Sequence, residues 1–64
     1  MKLAELRKAR GLSQRKLAAS AGIYKSTIIA IEAGKAKIEN ISLRKANGLA
    51  DALGVTMEEL LMLE

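Results

Sequence analysis

The chain has 64 residues and contains neither cysteine nor histidine, which excludes disulfide bonds, thiolate metal sites and the commonest general base. Its formal net charge is +4, and all of its eleven lysines and arginines except Arg44 and Lys45 lie in residues 1–37. No apolar run approaches the roughly 20 residues of a membrane span, and the N-terminus lacks a signal-peptide core. We therefore expect one cytoplasmic domain over residues 1–64, with no cofactor, metal, membrane or small-molecule partner. Its basic half is typical of nucleic-acid binding.

The first two predicted helices are separated by a glycine. Leu3 and Leu6 predict the inward side of a helix over residues 2–10, and Gly11 is placed to end it. Ser13 is a suitable N-cap for a second helix over residues 14–21. Since the chain has no proline and no alternating strand pattern, we predict an all-α fold.

The next segment has the pattern of a helix-turn-helix. Gly22 interrupts the second helix where the turn needs a positive φ, which glycine adopts without steric cost. A third helix is predicted over residues 25–33, ended by Gly34. Small or apolar residues fall where the two crossing helices must touch: Leu17, Ala18, Ala21, Gly22, Ile23, Ile28 and Ile31. The second helix of such a pair can lie in the major groove of DNA.

Two more helices are predicted after residues 35–41, which lack a clear period and are interpreted as a loop. Ser42 caps the fourth helix and Gly54 ends it. Its predicted inward face is Leu43, Ala46, Leu49, Ala50 and Leu53. Gly48 inside this helix costs about 1 kcal/mol relative to alanine, and close approach by another helix is one explanation that the sequence leaves open. Thr56 and Glu59 form a capping box for the last helix.

Four segments in order resemble the Cro/CI-type helix-turn-helix family, the lambda-repressor-like five-helix domain. They are LRKARGLSQ (residues 6–14), LAxxAGI (17–23), STIxxIExG (26–34) and LADALGVTMEEL (49–60). The resemblance covers nearly the whole chain. It implies a compact five-helix fold with the helix-turn-helix at helices 2 and 3, and binding to double-stranded DNA.

The resemblance also implies roles for individual residues, with the third helix as the recognition helix. The base-reading candidates are Lys25, Ser26, Ile29 and Ala30, of which Lys25 is the best candidate for a guanine contact. The candidates for the DNA backbone are Gln14, Tyr24, Thr27, Lys35 and Lys37. Arg7 and Glu32 match a pair that ties the first helix to the end of the third, which we interpret as a structural salt bridge.

The predicted recognition helix departs from the family in two respects. Ile29, Ala30 and Ala33 stand where such helices usually carry polar or charged side chains. Ile29 and Ala30 are suited to contact thymine methyl groups, and a protein-binding patch is the other interpretation. Tyr24 replaces the usual serine or threonine N-cap, so we expect the helix to begin without a side-chain cap.

The apolar tail offers a candidate dimer contact. Leu61, Met62 and Leu63 cannot all point inward from one short helix, because successive residues are about 100° apart. We interpret them as dimer-interface candidates, joined by Ile38 or Ile41 from the long loop. Ordinary exposed side chains at a frayed terminus are the alternative.

These features predict a sequence-specific DNA-binding transcriptional regulator, a repressor that binds an inverted-repeat operator as a homodimer. The alternative is a protein-interaction module, antitoxin-like or dependent on a partner, that retains the fold without strong specific DNA reading. We do not expect an enzyme, because the chain has no histidine, cysteine or glycine-rich phosphate loop.

Overall fold

The computed structural model describes residues 2–63, and in this range the chain forms five α-helices and no strand. The helices are α1 (Leu3–Ala9), α2 (Gln14–Ala21), α3 (Lys25–Glu32), α4 (Leu43–Leu53) and α5 (Met57–Leu61). The predicted all-α, five-helix fold is confirmed, with α1 and α3 slightly shorter than predicted. The segment predicted as a loop contains a 3-10 turn, Ile38–Asn40. The sequence did not predict this turn, because the segment has no clear hydrophobic periodicity. None of the helices in the described range has the length and apolar character that crossing a membrane requires.

The predicted N-caps begin α2, α4 and α5. The hydroxyls of Ser13, Ser42 and Thr56 accept hydrogen bonds from backbone N–H groups one turn into their helices, at 3.0, 3.2 and 3.1 Å. The Thr56 backbone N–H in turn donates to the Glu59 carboxylate at 2.9 Å, which completes the predicted capping box. These caps satisfy donors that no carbonyl inside the helix can reach, so the boundaries are determined locally.

The aliphatic core is centred on α2, which packs against both α3 and α4. Five large side chains are almost wholly buried: Leu17, Ile28, Leu49, Leu53 and Leu60. Leu17 belongs to α2 and Ile28 to α3, so the same core orients both helices of the predicted motif. The Arg10 Nε donates to the backbone carbonyl of Leu53 at 2.8 Å and links the end of α1 to the end of α4.

Gly48 allows the backbones of α4 and α2 to approach closely. A Cβ at this position would overlap the backbone carbonyl of Ala21 and would lie only 3.3 Å from its Cα. The explanation by close approach is therefore confirmed, and the partner is the C-terminal end of α2. Because the obstacle is backbone rather than a flexible side chain, α2 and α4 would have to separate to accept a methyl group.

Three predicted positions were wrong. Leu43 was expected to point inward but is 71% exposed, because it is the first residue of α4 and burial in that helix begins only at Ala46. Ile38 is 2% exposed, because the 3-10 turn folds it onto the core, so it is unavailable for a dimer contact. Leu63 is 8% exposed, because α5 ends before it and its N–H bonds to the carbonyl of Leu60. The chain thus turns Leu63 inward and removes it from the candidate dimer surface.

The Gly48 contact predicts an unusual effect of substitution. Alanine normally stabilises a helix interior relative to glycine by about 1 kcal/mol. Here we expect Gly48→Ala to lower the free energy of unfolding by about 1–3 kcal/mol, because overpacking outweighs helix propensity. Urea unfolding followed by circular dichroism measures this, with Asn47→Ala on the exposed side of α4 as the matched control. A Gly48→Ala variant more stable than the parent would contradict the contact.

Candidate nucleic-acid interface

The turn between α2 and α3 sets the direction of α3. Gly22 has φ of 72° and ψ of 33°, the left-handed conformation that the sequence predicted for it. The N–H of Ile23 bonds to the carbonyl of Ala18 at 3.0 Å, which closes the end of α2. Two turns of α3 then follow, with Ile28 and Ile31 buried against the core. The exposed part of the helix surface faces away from this core.

The base-reading candidates occupy that outer surface of α3. Lys25, Ser26 and Ile29 are exposed, whereas Ala30 is half-buried at its border. In the described residues, no hydrogen bond between side chains engages Lys25 or Ser26. Their polar groups are therefore available to base edges or phosphates.

The backbone candidates lie at both ends of α3. Tyr24 precedes the helix with its side chain 75% exposed, and it makes no side-chain cap, as predicted. Thr27 is half-buried. Lys35 and Lys37 are exposed after the helix, where the N–H groups of residues 35 and 36 bond to the carbonyl of Ala30 at 2.9 and 3.2 Å. This turn holds the two lysines beside the C-terminal end of α3.

A cationic notch lies between the beginnings of α2 and α3. It is lined by Ser13, Gln14, Arg15, Lys16 and Lys25. Arg15 and Lys16 stand in the first turn of α2, and that turn contains no acidic residue. The positive end of a helix dipole disfavours cations, so this arrangement does not favour the stability of the isolated chain. It is suited to an anion such as a phosphate group.

The Glu32 carboxylate joins three parts of the fold. Arg7 donates to it through Nε at 2.7 Å and through Nη2 at 3.3 Å, and Gln14 donates through Nε2 at 2.9 Å. Arg7 also donates through Nη1 to the carbonyl of Leu12 at 2.8 Å. The side chains of Arg7 and Glu32 are each only 10% exposed, so the predicted structural salt bridge is confirmed. We name this set, Arg7, Gln14 and Glu32, the Glu32 network.

The Glu32 network lowers the pKa of the Glu32 carboxyl. Burial alone would raise this pKa, but the hydrogen bonds from Arg7 and Gln14 and the charge of Arg7 outweigh burial and hold it below its ordinary value of 4.5. The carboxylate therefore remains ionised at neutral pH and keeps the end of α3 attached to α1 and to the first residue of α2.

The comparisons with known proteins agree with this geometry. A family profile described as helix-turn-helix matches residues 3–60. The chain belongs to the helix-turn-helix family. A similar solved structure is the restriction-modification controller protein C.AhdI from Aeromonas hydrophila, with 41% identity, a TM-score of 0.77, and coverage of 91% of this chain and 83% of that one. No curated protein matches the chain.

This helix-turn-helix protein is a DNA-binding transcription regulator of the lambda-repressor-like fold. In such a motif the second helix enters the major groove, and in this chain that helix is α3. The roles of the individual side chains stay predictions. For Gln14, predicted to hold a phosphate, the structure adds that its amide already donates to Glu32.

Two cations of the interface were absent from the sequence-based candidates. Arg15 and Lys16 line the same notch as Lys25, although eight or more residues separate them from it in the chain. One signal was available in the sequence, namely two consecutive cations in the first turn of a helix, where the helix dipole disfavours them. Their proximity to Lys25 depends on the turn between α2 and α3.

The Glu32 network predicts a pH-dependent stability difference. At pH 7 we expect Glu32→Gln to lower the free energy of unfolding by about 3 kcal/mol, because it leaves the buried guanidinium of Arg7 without a counter-charge. The pKa of Glu32 is depressed in the folded state, so its contribution is complete above pH 4.5 and is lost as the pH falls through the folded value. The difference between the variant and the parent should therefore shrink as the pH falls below 4.5.

Urea unfolding at pH 7 and pH 3 measures both parts of this expectation. Glu39→Gln is the control, because Glu39 is exposed and its substitution should change the free energy of unfolding by less than about 0.5 kcal/mol. An effect of Glu32→Gln that is the same at both pH values would show that the charge of Glu32 is not what stabilises the fold.

Proposed function

We propose that this regulator is a sequence-specific repressor that binds an inverted-repeat operator as a homodimer. The observation that carries the proposal is the exposed face of α3, where no side chain among residues 2–63 hydrogen-bonds to the side chains of Lys25 or Ser26 and where Lys25 lines the cationic notch. Side chains that are free to donate hydrogen bonds and lie on a rigid helix are what direct readout of base edges requires.

Phosphate contacts at both ends of α3 would fix its position in the groove. Arg15 and Lys16 lie near its N-terminal end, and Lys35 and Lys37 follow its C-terminal end. Such contacts position a protein on the duplex without reading sequence. The Glu32 network supports them, because it holds the first residue of α2 to the last residue of α3.

The dimer is proposed from the exposed apolar tail. After the correction at Leu63, the remaining candidates are Leu61 and Met62, which are 50% and 78% exposed. Neither is needed by the core, and adjacent exposed apolar side chains are typical of an interface between copies. Ile41 is half-buried against the core and remains a candidate at the border of this surface.

A two-fold dimer accounts for an inverted-repeat operator. Successive major grooves on one side of B-DNA are about 34 Å apart. One protomer extends 23 Å along its longest axis, so two protomers side by side are long enough to place both α3 helices in successive grooves. Such a dimer covers promoter DNA and represses by steric occlusion. Control of a restriction–modification system is the specific role that the similarity to the Aeromonas hydrophila controller supports.

Lys25 and Lys37 should differ in their effects on DNA binding. We expect Lys25→Ala to cost about 1–3 kcal/mol and to relax preference at one operator position, because it removes a base contact. Lys37→Ala should weaken binding to all duplexes alike and lower the salt slope by about 1, because it removes a phosphate contact. Titration of duplexes that differ at single positions, over a range of salt, measures both. Each variant is the control for the other. If both variants lost affinity equally for all duplexes, the assignment of Lys25 to base reading would be overturned.

Met62 should control dimerisation. We expect Met62→Lys to yield a monomer at concentrations where the parent is a dimer, because a charge cannot be buried between two copies without a partner. Light scattering after size exclusion measures the mass. Binding to an inverted-repeat duplex should fall, while binding to a single half-site stays unchanged. As a control, Ala9→Lys adds the same charge at the exposed end of α1 and should leave the dimer intact. A Met62→Lys variant that is still a dimer would contradict the proposed interface.

A second function is favoured by the apolar residues on α3. Exposed Ile29 and Ala33, with half-buried Ala30 between them, would also suit a protein-interaction module that retains the fold without specific DNA reading. Salt separates the two functions. Binding through several phosphates weakens steeply as salt rises, whereas an apolar protein contact does not.

A further inference from the structure

Ile29 lies at the centre of the exposed face of α3. In helical projection it is about 40° from Lys25 and about 60° from Ser26, between the two polar candidates. The other isoleucines of α3, Ile28 and Ile31, are buried at 0% and 5% exposure, whereas Ile29 is 44% exposed. A duplex that meets Lys25 and Ser26 must therefore also cover Ile29.

The side chain of Ile29 can form a favourable contact with only one kind of group on the floor of the major groove. The purine N7, the keto oxygens and the exocyclic amines all need hydrogen bonds, and an aliphatic chain pressed on them leaves them unpaired at a cost in free energy. The C5-methyl of a pyrimidine is the apolar exception. Covering a methyl by an aliphatic side chain removes the apolar surface of both from water.

We infer that Ile29 contacts the C5-methyl group of one pyrimidine in each half-site, which makes binding sensitive to that methyl group. The ligand group is then a thymine or a 5-methylcytosine, and an unmethylated cytosine or a uracil at the same position is a poorer partner. This inference rests on the proposed function, since it requires α3 to lie in the major groove.

The small residues around Ile29 support a close approach to the bases. Ser26, Ala30 and Ala33 border it on the helix surface, and none of them extends beyond Cβ by more than one atom. With no long side chain in between, the backbone of α3 can come near enough for the branched chain of Ile29 to reach the groove floor. Lys25, one turn earlier, is long enough to reach a neighbouring base pair from the same position.

The test replaces thymine by uracil in the duplex that the protein prefers, one position at a time. This change removes only the methyl and keeps every hydrogen bond of the base pair. We expect one position in each half-site to lower the affinity about four-fold, and both together about fifteen-fold, with the salt slope unchanged. Replacing the sensitive T·A pair by a C·G pair, which keeps a pyrimidine at the same position on the same strand, should weaken binding, and 5-methylation of that cytosine should restore part of the affinity.

Two variants identify the side chain responsible. Ile29→Ala should bind the uracil and thymine duplexes alike, because it no longer reaches the methyl, while Ile29→Val should keep part of the discrimination. The exposure of Ile29 makes loss of the fold an unexpected result of either change, and circular dichroism checks it. The uracil scan itself uses the unaltered protein.

The outcomes separate this inference from the proposal beneath it. If the protein prefers no duplex, the proposed function is wrong and the methyl contact falls with it. If it prefers a duplex in which no uracil lowers the affinity, only the methyl contact is wrong. If the sensitivity to uracil persists in Ile29→Ala, another side chain makes the contact and the assignment to Ile29 is overturned.

Discussion

The rest of the structure depends on the ion pair and hydrogen bonds that the carboxylate of Glu32 forms. It accepts hydrogen bonds from Arg7 on α1 and Gln14 at the beginning of α2, and it is itself the last residue of α3. Three short helices, none of which would persist alone in water, are thus joined at one charged group. Since this group holds the first residue of α2 to the end of α3, it fixes the position of α3 relative to Arg15 and Lys16 in the cationic notch.

Several features of the surface oppose the stability of an isolated domain. Arg15 and Lys16 stand at the positive end of a helix dipole, and Ile29 and Met62 expose aliphatic surface to water. The proposed function gives each of them a role: an anion at the notch, a pyrimidine methyl group against Ile29 and a second copy of the chain at Met62. The well-packed core beneath them, with the backbone contact at Gly48, provides the rigidity that such a surface requires.

Most of the fold could be predicted from local signals. Caps at Ser13, Ser42 and Thr56 and the glycine at the turn act on adjacent backbone groups, so the sequence alone predicts helix boundaries well. Leu43 and Leu63 were misplaced because periodicity cannot tell where the core stops or where a terminal helix gives way to a turn. The hydrogen bond from Gln14 to Glu32 and the notch that Arg15 shares with Lys25 depend on how α2 and α3 pack, which local signals do not reveal. The sequence therefore identified α3 as the recognition helix but did not reveal Arg15 and Lys16, the cations that line the notch with Lys25.

The proposed function depends on the reading of DNA sequence by the outer face of α3. Selection of bound duplexes from a random pool near physiological salt, followed by sequencing, tests it most directly. We expect an enriched inverted repeat whose half-sites are centred about one helical turn apart. A folded protein that enriches no sequence would contradict it and would favour a protein partner for the apolar surface around Ile29.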